Sequence, residues 1–281
     1  MREVGPPRCL LVEVRTADEP ANHTTMLWPA LQELMRALGD EPRTMWATSP
    51  GGKAGRDRQF SWAGLNALGS DPKTGTVSST ELRAHEAEFD LSIYLRHNPA
   101  LPADAQPPAA IWMAVELRAG AFALTELVDA AESFLIACAT TMPVLHGGVT
   151  VLDNVTQARC EVTGGTASEA AKQRPEFQRR REHDWFLNQS ALWSKCRRLY
   201  FVSLLGPALA ARAGGAEAAR AAGAIDVREI AGALIFRAIH PPPRDSLDPE
   251  FLATTASQRR WLWPCTFQNP LDASGIEDVL G

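Results

Sequence analysis

The stretch Arg197-Arg198-Leu199-Tyr200-Phe201-Val202-Ser203-Leu204-Leu205-Gly206-Pro207-Ala208-Leu209, followed by Gly214-Gly215, decides how the chain is read. Its apolar run predicts a buried strand near 198–203. Gly206-Pro207 then opens a helix over 206–213, because proline in the first helical turn gives up an N–H that has no intrahelical partner there. Gly214-Gly215 ends it, since glycine tolerates the backbone turn that closes a helix.

The same alternation of strand and helix extends outward on both sides. Leu10 to Val14 reads as a short β-branched strand. Leu27, Leu31, Leu34, Met35 and Leu38 share one face of a helix, with Thr24 or Thr25 at its cap, Pro29 in its first turn and Gly39 at its end. Residues 47–80 read as a long loop with one brief strand. Phe89, Leu91, Ile93 and Leu95 alternate with Asp90, Ser92, Tyr94 and Arg96, the period of a half-buried strand. Beyond the Pro-rich loop 98–108, Ile111–Val115 supplies the second strand of a long-looped hairpin.

Leu127, Val128, Ala131, Phe134, Leu135 and Cys138 mark a second amphipathic helix, with Glu126 and Asp129 at the end where the helix dipole favours acids. Short strands are expected at 149–152 and 158–162, and a strongly charged helix at 169–196. Val227–Ile230 and Ala233–Ile239 are strands, closed by Pro241-Pro242-Pro243, which cannot continue a ladder. Asp248-Pro249 starts a last helix that runs to Arg260. These elements predict an α+β fold: a mixed or antiparallel sheet with helices packed on it, in one compact domain over 1–281.

A chain of 281 residues with 45% hydrophobic and 22% charged residues buries a core without covalent staples. The net charge of -5 lacks the basic excess of a nucleic-acid binder, so no nucleic acid is expected as partner. Cys9, Cys138, Cys160, Cys196 and Cys265 are odd in number and widely spaced, which predicts packed thiols in a reducing compartment rather than a disulfide framework or zinc cluster. Glu13 and Arg15 interrupt the N-terminal apolar run, and nowhere do eighteen apolar residues follow one another, so neither a signal peptide nor a membrane span is expected. The expected location is the cytoplasm.

Motifs that carry chemistry are scarce. Ser49-Pro50-Gly51-Gly52-Lys53-Ala54-Gly55 lacks both the spaced glycine and the Ser/Thr of a phosphate loop, and reads as a surface loop. His85 and Glu86, as neighbours on an extended segment, point to opposite faces and read as solvated charges. His146-Gly147-Gly148 could offer amides to an oxyanion, but no GxSxG accompanies it, and it reads as a turn before a strand. A pocket enzyme built round His146 and Asp153 is the alternative reading. No catalytic, cofactor or metal residue is assigned, and the chain is expected not to be an enzyme. Arg179, Arg180 and Arg181 lie near Trp185, Phe186 and Trp193; the first reading is a core-facing helix with a solvated back, and the alternative is a protein interface.

The segments 197–215 and 232–264 resemble a bacterial type VI secretion immunity protein family, first known as a domain of unknown function. Its members show an aromatic strand, a Leu-Gly-Pro step into a helix and a Gly-Gly stop, as in Leu199 to Pro207 and Gly214-Gly215 here. A short strand, a Pro-rich turn with an acid and a final helix follow, as in Ala233–Ile239, Pro242-Pro243-Arg244-Asp245 and Phe251–Pro264. The resemblance implies a non-enzymatic protein that binds and neutralises a cognate protein toxin. Candidate partner-binding residues are Trp46, Phe60 and Trp62 around the loop 47–62, and Arg179, Arg180, Arg181 and Trp185 in the basic segment 174–198.

Overall fold

Nine residues of β1 (Arg8–Thr16) sit between two long partners, β6 (Ala109–Leu117) and β7 (Val144–Leu152), each antiparallel to it. The computed structural model describes residues 8–18, 24–37, 43–48, 58–61, 63–64, 79–83, 89–94, 108–117, 124–152, 192–240 and 249–266. The readings of 49–55, 85–86, 98–107, 158–162, 169–191 and 241–248 lie outside these residues. Around β1 the sheet extends through β5 (Phe89–Tyr94) on one side. On the other it continues through β8 (Val202–Leu205), β10 (Ala233–Arg237) and β9 (Ile225–Ile230). The order is β5-β6-β1-β7-β8-β10-β9, and every neighbouring pair is antiparallel. Of the two sheet types expected, the antiparallel one is present. A separate small sheet has the order β3-β2-β4, from Arg58–Gln59, Thr44–Thr48 and Ser79–Arg83.

Period two along β1 sorts its side chains between two faces. Leu10, Val12 and Val14 are buried in one cluster with Leu27, Leu31, Leu34 and Met35 of α1 (Thr24–Ala37) and Leu127, Val128, Ala131 and Leu135 of α2 (Leu124–Thr141). Fully burying each such leucine is worth about 2 kcal/mol. Pro29 stands sixth in α1, one turn deeper than expected, because the helix begins at Thr24; it lies on the exposed side. The missing N–H there faces solvent rather than core.

The opposite face carries Cys9, Leu11, Glu13 and Arg15, and register links it across the sheet. Trp112, Glu13, Gly148, Ser203 and Phe236 form one row across β6, β1, β7, β8 and β10. The Phe236 ring meets Trp261 edge-on at a centroid distance of 5.4 Å. Trp261 belongs to α6 (Ala256–Leu262), so the C-terminal helices pack on this second face.

The decisive stretch is shorter as a strand than its apolar run suggests. Residues 198–201 stay outside the ladder: the Tyr200 N–H donates to Ser203 Oγ at 3.0 Å, and Ser203 Oγ–H donates to the Tyr200 carbonyl at 3.2 Å. After β8, α3 runs Pro207–Arg212, with Pro207 in the first helical turn as expected. Gly214 and Gly215, at φ 85° and 71°, end α3 and at once begin α4 (Gly215–Ala221). The last helix is two short ones, α5 (Pro249–Thr254) and α6. His146-Gly147-Gly148 is a correction of another kind. It lies within β7 rather than in a turn before a strand.

Candidate functional site

The second face of the sheet holds a cluster of buried polar groups, and three separate segments supply it. β1 contributes Glu13 and Arg15, two apart and therefore on one face. β7 contributes His146, paired with Arg15 across the strands, and Gly148, paired with Glu13. The segment before β8 contributes Tyr200. Each of the four side-chain-bearing residues is at most 4% exposed.

Arg15 Nε donates to Glu13 Oε1 at 2.6 Å, and the Tyr200 hydroxyl donates to Glu13 Oε2 at 3.2 Å. Both carboxylate oxygens therefore have charge-compatible donors, which a buried carboxylate requires. Glycine at 148 makes the second contact possible. A Cβ there would fall inside the Tyr200 side chain, 2.5 Å from its Cβ, and 2.6 Å from the Val202 carbonyl oxygen. Gly147 is equally constrained, with the Glu13 carbonyl on one side and Val14 Cα 3.1 Å from any added Cβ. Glycine inside a strand marks close approach of a neighbour, and both positions obey that rule.

Protonation follows from this packing. Burial pushes the Glu13 carboxyl up, but the Arg15 guanidinium and its hydrogen bond outweigh that and hold it below its ordinary value. Burial drives His146 down to about 4 against the opposing pull of Glu13, so the imidazole is neutral at neutral pH. Burial, reinforced by the Glu13 charge, raises the Tyr200 phenol well above its ordinary range. His146 Nε2 lies 3.1 Å from the Leu192 carbonyl and, in the neutral ring, donates to it. Nδ1 is then an acceptor, buried and with no partner among the described residues. The cluster is a fixed charge pair that ties residues 192–201 to the middle of the sheet.

A second polar cluster lies on the helical face. Arg237 of β10 donates through Nε to Glu132 Oε2 and through Nη2 to Asp129 Oδ1, each at 2.5 Å, and Arg228 of β9 also pairs with Glu132. These bonds fasten α2 to the end of the sheet. Beside it, Glu33, Arg36, Ala37, Asp129, Ala130 and Ser133 line an open groove of about 610 Å³ between α1 and α2.

Of the partner-binding residues proposed from sequence, Trp46 and Phe60 fall among the described residues. Trp46 is in β2, opposite Glu81 of β4. Phe60, half-buried, follows β3; its N–H donates to the Arg43 carbonyl at 2.8 Å, and its side chain packs against the main core. Trp62, Asp153, Arg179, Arg180, Arg181 and Trp185 lie outside the described residues. Cys138, Cys196 and Cys265 are buried free thiols and Cys9 is buried as well, as expected of packed cysteines. Among the described residues, no three His, Cys, Asp or Glu side chains are placed to hold a metal ion. No described helix is long and apolar enough to cross a membrane.

The same architecture occurs in the Pseudomonas aeruginosa T6SS protein PA0821. The two chains superpose with a TM-score of 0.59 at 12% sequence identity, over 94% of this chain and 74% of that one. The likeness is one of fold. No protein-family model matches the sequence, and no curated protein matches it.

The charged pair at the centre of the site could have been suspected earlier. Glu13 and Arg15 sit two apart in an otherwise apolar strand, a pattern that places both charges on one face. In the sequence alone they read only as an interruption of an apolar run. Nothing local pointed to Tyr200, which reaches Glu13 across 187 residues of chain.

Proposed function

We propose that the chain is a type VI secretion-associated protein that acts by binding another protein, and more specifically that it neutralises a cognate toxin in the cytoplasm of the cell that carries it. The observation that carries this reading is the fold likeness over 94% of the chain to a protein described as belonging to T6SS. The family-like segments 197–215 and 232–264 add support. They supply β8, α3, β10, α5 and α6, which contribute to a single buried cluster. Such elements are scaffold, and they leave recognition to the surfaces they hold in place.

The rival reading, an enzyme with a pocket round His146 and Asp153, is favoured by no observation. His146 has no exposed surface, and its Nε2 is engaged by the Leu192 carbonyl. A substrate would reach it only if residues 192–200 moved away. The test is co-expression with a toxic effector drawn from the genes that neighbour this chain's own. Restored growth and a co-purifying complex are expected; unrelieved toxicity with no complex would overturn the proposal.

A further inference from the structure

Cys196 and Cys265 are 69 residues apart in the chain and adjacent in the fold. The Cys196 N–H donates to the Cys265 carbonyl at 2.9 Å, and the Cys196 thiol donates to the same oxygen at 3.4 Å. Cys196 also forms an isolated parallel bridge with Thr266. Bridged chains run about 4.8 Å apart, so the two cysteine Cα atoms stand roughly 5–6 Å apart, within the span a disulfide joins. Both residues are free, buried thiols of the main core. Burial pushes Cys196 up to about 12, and the charge of a thiolate at Cys265 adds to that. Burial raises Cys265 too, but Arg212 and Lys195 pull it the other way, which makes Cys265 the easier of the two to ionise. Cys265 closes the single 3-10 turn Trp263–Cys265, directly after the exposed Pro264.

We infer that Cys196 and Cys265 form a disulfide when the chain meets a small-molecule disulfide oxidant, and that this bond fastens segment 192–200 to the C-terminal turn. A lone turn is held by few backbone hydrogen bonds, and its local opening admits the oxidant to Cys265. The Cys265 thiolate attacks one sulfur of the oxidant, whose S–S bond breaks and releases one small thiolate. Cys196 then gives up its proton and attacks the Cys265 sulfur of the mixed disulfide, releasing the second small thiolate. The two cysteine protons end on the two small thiols, and the two electrons lost by the cysteines reduce the oxidant. Segment 192–200 also carries the Leu192 carbonyl that His146 binds and the Tyr200 hydroxyl that reaches Glu13. A cross-link in its middle therefore locks this strap over the buried charge pair. In a reducing cell such a bond is transient and forms under oxidative load. The cross-link does not depend on what the chain binds.

The experiment incubates the folded full chain with oxidised glutathione at about pH 8, where thiolate is populated, blocks the remaining thiols and maps cysteine linkages by mass spectrometry. The expected product is lighter by about 2 Da, joins Cys196 to Cys265, and reverts with dithiothreitol. Its melting temperature should rise by at least about 5 °C, because the bond closes a long loop. Trypsin should cut the folded chain after Lys195 at least about threefold more slowly once the strap is locked. Cys196→Ala and Cys265→Ala should each abolish the cross-link, whereas Cys138→Ala should retain it. The wild-type linkage map decides the matter even where a variant fails to fold. Glutathione adducts without an internal bond, a disulfide through Cys9, Cys138 or Cys160 instead, no reaction of the folded chain, or a melting temperature that falls on oxidation would overturn the inference.

Discussion

Tyr200 rests on Gly148, and that contact lets its hydroxyl reach Glu13. The strand residue has no side chain because the phenol's own Cβ and Cγ occupy the space. Gly148→Ala is therefore an overpacking change in a closed core and should cost about 2–3 kcal/mol. Urea denaturation measures this directly. Tyr200→Phe keeps the ring and removes only the hydroxyl, so it should cost less, about 1–2 kcal/mol. A Gly148→Ala protein as stable as the wild type would refute the packing described.

Gly206 is required for space rather than for backbone freedom. Its φ of -65° is open to any residue. A Cβ there would nevertheless collide with the Val144 carbonyl oxygen and stand 2.8 Å from the Leu145 carbonyl oxygen. Gly214, at φ 85°, is the opposite case: strained for other residues, with only Ala218 Cβ, 3.0 Å away, near an added Cβ. Gly206→Ala should cost more than Gly214→Ala, for which a left-handed backbone alone predicts about 1–2 kcal/mol. Melting temperatures of the two variants decide the order.

His146 makes stability depend on pH in a defined window. Its folded pKa of about 4 lies below the ordinary 6.5, so between those values the unfolded chain binds more protons than the folded one. The contribution is complete above pH 6.5 and is lost as pH falls toward 4, on the order of 3 kcal/mol in all. Glu13 has the same sign, but its loss comes lower, as pH falls through a carboxyl value already held below the ordinary one. His146→Gln keeps a donor for the Leu192 carbonyl and should flatten the pH 4–6.5 slope of the urea midpoint. An unchanged slope would contradict the buried neutral imidazole.

Arg237 ties β10 to α2 through Glu132, which is only 3% exposed. Arg237→Leu leaves that carboxylate buried beside Arg228 with one fewer cation and should cost about 3 kcal/mol. The double variant Glu132→Leu/Arg237→Leu removes both buried charges and should recover most of that loss. A thermodynamic cycle over the single and double variants gives the coupling energy; additivity would mean that the pair does not act as a unit.

Periodicity made much of this fold legible. The apolar positions of β1, α1, β6 and α2 lie where their spacing places them, and β5 and β6 pair as the expected hairpin. What periodicity could not supply was position across long separations. His146-Gly147-Gly148 looked like a turn because glycine in isolation signals one. Its place inside β7 depends on Glu13 and Tyr200, which are remote in the chain. Likewise, the start of β8 at Val202 depends on Ser203 capturing the backbone of Tyr200, a side-chain choice that an apolar run does not reveal. The charges at 13 and 15 were visible, but their purpose required the residue opposite them.

The most direct test of the account is growth of cells that express a toxic effector drawn from the neighbouring genes, with and without this chain, followed by purification of the pair. Restored growth and a stable complex, both unaffected by His146→Gln, is the predicted result. Toxicity that persists in the presence of the folded chain, with no complex recovered, would contradict the central claim.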